Sequence, residues 1–256
     1  MEKVIKTCSA LSLLSYETPE VFSSELRKMG LKSLLERGVG FYEREGAQMF
    51  VVKSEDITYV VFRGTEILSM KDIKADMSIF KKMNRTQDGR VHSGFYNHLE
   101  KVWDFVPEEE ETNPIVFTGH SLGGAMATLA CSRVKSTAVT FGSPRVGNRA
   151  FTKRIEGLGS KVIRVRNGSD IVTRIPKVFY YHPKGDLLYI RKNDLIKNPR
   201  KTKMMVWWFI DTLSGLFLSC PPRIDGLSDH SMKAYNRTLC SERGEPFIDI
   251  FANLEH

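Results

Sequence analysis

An α/β fold with a mainly parallel central sheet flanked by helices is the architecture this sequence predicts. Three observations carry it. Short apolar runs of strand length alternate with helical stretches along the chain. The run "IVFTGH" (115–120) passes directly into an alanine-rich helical segment at Ser121. With 256 residues, 41% hydrophobic and 27% charged, the chain can bury a sizeable core within one domain.

The elements follow in order. Residues 3–15 read as a helix with Ala10, Leu13 and Leu14 on one face. The leading lysines and short apolar stretch resemble a weak secretion signal. Thr7, Ser9, Ser12 and Ser15 interrupt that stretch, however, and no small-x-small cleavage site follows, so the helix is the better reading. Residues 19–29 form a second helix, opened by Pro19 and Glu20, which suit a first helical turn. Within 38–65, strands are expected near 49–53 and 57–63, joined by the turn "KSED". Residues 66–90 are charged and less regular. Phe95, Leu99, Val102 and Val106 align on one face of a helix over 93–106. An acidic turn, "EEEET", precedes the strand at 115–120, and the helix after Ser121 extends to Val134. Strands at 137–144 and 161–172 bracket a short helix at 151–158, and 187–191 adds an edge strand. No internal repeat or linker divides the chain, so 1–253 read as one domain. Residues 254–256 resemble the remnant of an expression tag.

A net charge of +8 favours anionic partners. No zinc-finger spacing and no basic helix interleaved with aromatics points to nucleic acid. Cys8, Cys131, Cys220 and Cys240 contain no C-x-x-C pair, so no metal site is expected. They read as free thiols of a reducing compartment. No run reaches the roughly 18 apolar residues of a membrane span. A cytoplasmic or peripheral membrane location is the expectation.

"GHSLG" (119–123) fits G-x-S-x-G, a tight strand-to-helix turn that holds a serine hydroxyl clear of the sheet. Gly119 and Gly123 leave room where strand and helix cross. The backbone N–H of Leu122, at the helix start, can face an oxyanion. The pattern alone is weak, and the apolar strand before it and the helix after it give it weight. A serine nucleophile needs a base, and the base needs a carboxylate to hold its tautomer. On such a sheet the chain order is Ser, then Asp or Glu, then His. His182 and His230 follow Ser121. His182 precedes the expected edge strand and reads as a hydrogen-bonded structural residue. His230, in a polar loop before a late helix, suits a general base. Asp170 ends the strand "KVIRVRNGSD", where a parallel sheet presents its site residues. Asp186, Asp194, Asp211, Asp225 and Asp229 compete with it, although Asp229 adjoins His230 and is expected to point elsewhere.

The pieces "VVFRGT" (60–65), "ADMSIF" (75–80), "VHSGFY" (91–96), "GHSLGGAMATLA" (119–130), "FGSPRVGN" (141–148), "NGSDIVTRIP" (167–176) and "DHSMKAY" (229–235) together resemble the class 3 lipases, the family typified by fungal triacylglycerol lipases. They stand in the family's order and span roughly residues 40–240. The resemblance implies an α/β-hydrolase fold with Ser121 as nucleophile, Asp170 as orienting acid and His230 as base. It also implies that Thr65 supplies a second oxyanion donor beside Leu122. No metal or organic cofactor is called for. His120 is expected to pack under the turn and hydrogen-bond a neighbour, and His92 to fix the helix start at "HSGF".

The same resemblance implies a lid at 66–77, in which Ile67, Leu68, Met70 and Ile73 cover the site in water. A C-terminal apolar insertion at 191–222 departs from the family. Six basic residues in its first thirteen precede Trp207, Trp208 and Phe209. That order suits a helix lying in the interface of an anionic membrane, and a core or acyl-pocket helix suits it equally. The expected substrate is a lipid ester at a lipid–water interface, either glyceride or phospholipid. A phospholipase A1 is the nearest alternative to a glyceride lipase, and a catalytically silent membrane-binding module is the alternative of another kind.

Overall fold

The computed structural model describes residues 1–29, 31, 34, 37–65, 83–86, 89–108, 113–191, 194–207 and 229–240, with the backbone alone for 83–85, 238 and 240. The strands in chain order are Val39–Arg44 (β1), Ala47–Lys53 (β2), Thr58–Phe62 (β3), Met83–Thr86 (β4), Gly89–His92 (β5), Ile115–His120 (β6), Thr137–Phe141 (β7), Lys161–Asn167 (β8), Leu187–Arg191 (β9) and Asp194–Lys197 (β10). The helices are Glu2–Leu14 (α1), Pro19–Lys28 (α2), Ser93–Trp103 (α3), Leu122–Ala130 (α4), Arg149–Gly157 (α5) and Met232–Cys240 (α6).

Eight strands form one sheet in the order β1-β2-β3-β6-β7-β8-β9-β10. Pairing is parallel from β3 through β9 and antiparallel at both margins. All six residues of β6 are buried, as befits a strand covered on both faces. One face packs Leu11, Phe22, Phe50, Phe141, Val165 and Tyr235 into a core under α1, α2 and α6. The other packs Phe62, Leu99, Phe117, Met126, Phe151 and Ile155 under α3, α4 and α5. This is the doubly covered α/β-hydrolase sheet expected from the sequence.

The serines that interrupt the apolar run of α1 turn out to be buried polar contacts. Ser12 Oγ lies 3.1 Å from Thr118 Oγ1 on β6, and Ser9 Oγ donates to Asn236 Oδ1 of α6 at 2.9 Å. Each hydroxyl finds a partner across the core, so its burial costs little.

Four expectations are corrected. The segment 38–65 contains a third strand, β1, whose partly exposed side chains carry only a faint alternation. The stretch 66–90 is not all irregular, since β4 and β5 pair as a hairpin at its end. Residues 187–191 are not an edge, because β10 pairs outside them. Several elements stop early: α3 at Trp103, α4 at Ala130, β7 at Phe141 and β8 at Asn167. In each case the chain beyond leaves the regular element, which side-chain periodicity does not reveal.

Candidate active site

The turn at the head of α4 holds Ser121, the residue expected from the sequence to carry the reactive hydroxyl. Ser121 has φ 55° and ψ −118°, a left-side backbone conformation uncommon for any residue with a Cβ. Two backbone bonds hold it there: its N–H donates to Phe141 O at 2.9 Å, and its carbonyl accepts from Ala125 N at 3.1 Å. A Cβ on Gly119 would lie 2.5 Å from the carbonyl carbon of Gly123, and one on Gly123 would collide with the Phe62 carbonyl oxygen. Glycine at both positions is therefore a requirement of the strand–helix crossing.

Asp170 lies three residues past β8 and His230 in the turn before α6. The structure brings them to Ser121. His230 Nε2 is 3.0 Å from Ser121 Oγ, and His230 Nδ1 is 3.0 Å from Asp170 Oδ2. With the carboxylate as acceptor, Nδ1 carries the proton and Nε2 is left to accept from the serine hydroxyl. Ser121 is 3% exposed, His230 5% and Asp170 0%. Asp170 Oδ1 accepts from Val172 N at 2.9 Å, and Oδ2 also accepts from Tyr235 Oη at 2.5 Å. The carboxylate is thus fixed by three donors. Asp229 points away, as expected: its Oδ2 accepts from Ser169 N at 2.6 Å, tying the loop of Asp170 to the loop of His230.

His120 is a strut beneath this group. Its Nε2 donates to the His230 carbonyl at 2.6 Å, so its Nδ1 accepts from Tyr16 Oη at 2.8 Å. Burial, and secondarily the His230 charge, hold its pKa well below the usual histidine value, so it stays neutral. His92 is corrected. It occupies the cap position of α3, but its side chain makes no capping bond there. Its ring stacks on Phe95 instead, with centroids 4.0 Å apart. His182 Nε2 donates to Thr173 O at 2.8 Å, the structural position expected for it.

Thr65 and Leu122 line one cavity of about 310 Å³ together with Arg63, Gly64 and His98. Trp207 is the last described residue of a helical run that includes 201–207. Its ring stacks on Tyr189 of β9 at 5.7 Å, and Arg191 and Lys203 lie over it at 4.8 and 4.9 Å. Trp208 and Phe209, and Ile67, Leu68, Met70 and Ile73 of the expected lid, lie outside the described residues. So does most of the insertion at 191–222, whose first residues end β9 and form β10.

Sequence reasoning missed Tyr235 and Tyr16. Tyr235 falls in the "DHSMKAY" motif, and Met232, Tyr235, Asn236 and Leu239 share the buried face of α6. A buried tyrosine hydroxyl requires a partner, so helical spacing from His230 was the available signal. Nothing local marks Tyr16.

Residues 59–180 match the family model described as Lipase (class 3). A chloroplastic phospholipase A(1) of Arabidopsis thaliana is 44% identical over 109 residues, covering 34% of this chain and 24% of that protein. A lipase of Rhizopus niveus is 34% identical over 137 residues, 46% of this chain and 34% of the other. The chain therefore spans only about a quarter to a third of the length of these relatives. Among solved structures, a triacylglycerol lipase with a serine-protease triad at its catalytic centre superposes with a TM-score of 0.64 at 21% identity, covering 80% of this chain and 89% of the other. The Yarrowia lipolytica LIP2 lipase superposes with a TM-score of 0.63 at 21% identity, covering 78% and 85%. At that identity the likeness is one of fold. The matched segment runs from β3 past β8 on that fold, and over it the chain is similar to the class 3 lipase family.

Proposed function

We propose that this chain is a carboxylic ester hydrolase acting on lipid esters through an acyl-enzyme on Ser121. The observation that carries the reading is the unbroken hydrogen-bond chain from Ser121 Oγ through His230 to Asp170, at 3.0 Å for each link. In this reading His230 Nε2 takes the hydroxyl proton as Oγ attacks the ester carbonyl carbon. Asp170 stabilises the resulting imidazolium and keeps the ring in the productive tautomer. The Leu122 N–H, one of the helix-start donors with no intrahelical acceptor, and Thr65 stabilise the oxyanion. A preorganised donor of this kind is commonly worth about 3 kcal/mol. His230 then returns the proton to the leaving alcohol. Water, activated by the same nitrogen, releases the acid and restores Ser121.

The family and the relatives' names, lipases and phospholipases A1, support a lipid ester as substrate class. A fluorophosphonate probe tests the reading. The wild type is expected to label and to hydrolyse emulsified diacylglycerol. Ser121→Ala is expected to lose labelling and about 10⁴-fold or more of kcat. A folded wild type that neither labels nor turns over ester is a silent lipid-binding module.

A further inference from the structure

Beside the acid–base side of the site lies a second cavity, of about 780 Å³, whose lining no part of the acyl-transfer reading uses. On the α4 face of β8 the apolar core ends at Val162, and the strand continues on that face with Arg164 and Arg166. Arg145, from the loop after β7, and Arg174 join them. Among the described residues, four arginines and two lysines line this cavity, and no aspartate or glutamate does.

Two of the guanidinium groups, those of Arg145 and Arg166, are held by neutral backbone acceptors. Arg145 donates to the carbonyls of Pro176 and Lys177, at 3.5 and 3.2 Å, and Arg166 to that of Gly168 at 3.4 Å. Arg164 Nε is buried with no hydrogen-bond partner among the described residues. Burial first, and then the neighbouring guanidinium charges, bring the Arg164 pKa down to about 10, so it remains cationic at neutral pH. Burial and the Arg164 charge likewise push His182, on the same wall, down to about 3. The neighbouring like charges repel, and Arg164 Nε–H has no acceptor among the described residues; an anion in the cavity would relieve both.

We infer that this cavity is a binding site for a phosphate group. Several planar forks around one opening exceed what a single carboxylate can accept, whereas a phosphate offers three oxygens and up to two charges. The cavity adjoins the reactive group. Ser143 lines it, and a Cβ on the preceding Gly142 would lie 3.0 Å from both His230 and Asp170 Oδ2. Thr173, also in the lining, donates to the Asp170 carbonyl at 2.9 Å. A glycerophospholipid headgroup held there would lie beside an ester presented to Ser121. That part of the inference rests on the hydrolase reading. Free phosphate would use the same donors.

The test uses the full chain. Inorganic phosphate, added at constant ionic strength against chloride, is expected to raise the melting temperature. Arg164→Gln/Arg166→Gln is expected to abolish that rise, and Arg145→Gln, on a loop, carries the same test should the double variant not fold. Equal rises in wild type and variants, or no rise in the wild type, overturn the site. The source is read from turnover. Hydrolysis of phosphatidylglycerol vesicles relative to neutral diacylglycerol is expected to fall about tenfold in the variants, the scale of one charge-assisted hydrogen bond. An unchanged ratio with a lost phosphate response assigns the site to free phosphate and overturns the headgroup part. A wild type stabilised by phosphate but inert toward both lipids keeps the anion site and overturns the hydrolase reading instead.

Discussion

Asp170 is wholly buried and accepts from Val172 N, His230 Nδ1 and Tyr235 Oη. The tyrosine bond spreads the carboxylate charge and so weakens its hold on the imidazolium. Tyr235→Phe removes that donor without changing the ring. The acidic limb of the kcat/KM–pH profile is then expected to move to higher pH. Activity near pH 8 is expected to fall less than about tenfold, because His230 and Ser121 keep their contact. A profile that does not move would show the hydroxyl to be a packing feature. At this scale Ser121, His230 and Asp170 were named from the sequence by the elbow pattern, the chain order and the family resemblance together, and the structure brings their side chains into contact. Tyr235 and Tyr16 were not, since each makes its contact across the fold.

Between β6 and α4 the chain turns within one strained residue, and the tightness of that crossing is a property of the element pair. Gly123→Ala sets a methyl group against the Phe62 carbonyl of β3. The helix must then move off the sheet. A loss of about 1–3 kcal/mol in unfolding free energy is expected, read from urea denaturation. A loss of roughly 100-fold in hydrolysis of a short p-nitrophenyl ester is expected with it, since an ångström of displacement suffices for that. Normal activity with normal stability would mean the helix start has slack that the geometry does not suggest. The elements most legible from sequence were those buried on both faces, such as β6 and α4, where the apolar signal is continuous. The half-exposed β1 and the short hairpin β4–β5 were not, because strands whose stability comes from pairing carry little pattern of their own.

The whole molecule is held by two cores, one on each face of the sheet, and α1 ties β6 to α6 through Ser12 and Ser9. Three histidines buried in this frame make its stability depend on pH. His120 lies well below the usual value, chiefly through burial. Burial likewise lowers His92 to about 4 and His182 to about 3. Below about pH 6.5 the unfolded chain protonates these rings and the folded chain does not. Their contribution is complete above that pH and is lost progressively as pH falls toward the folded values. Unfolding free energy in urea is expected to be lower at pH 5.5 than at pH 7.5 by about 1 kcal/mol per histidine. A flat response would mean the rings are solvated or paired with acid in the fold.

From residue order alone came the alternating architecture and the seam at Ser121, because period and turn chemistry are local; His230 and Asp170 as its expected partners came from chain order joined to the family resemblance. Only the folded sheet decided that Tyr235 braces Asp170, that His120 links Tyr16 to the backbone of His230, and that four arginines from separate segments converge on one cavity. Those contacts join positions up to 110 residues apart. They depend on strand register and on where loops return to the sheet, which no short stretch of sequence encodes.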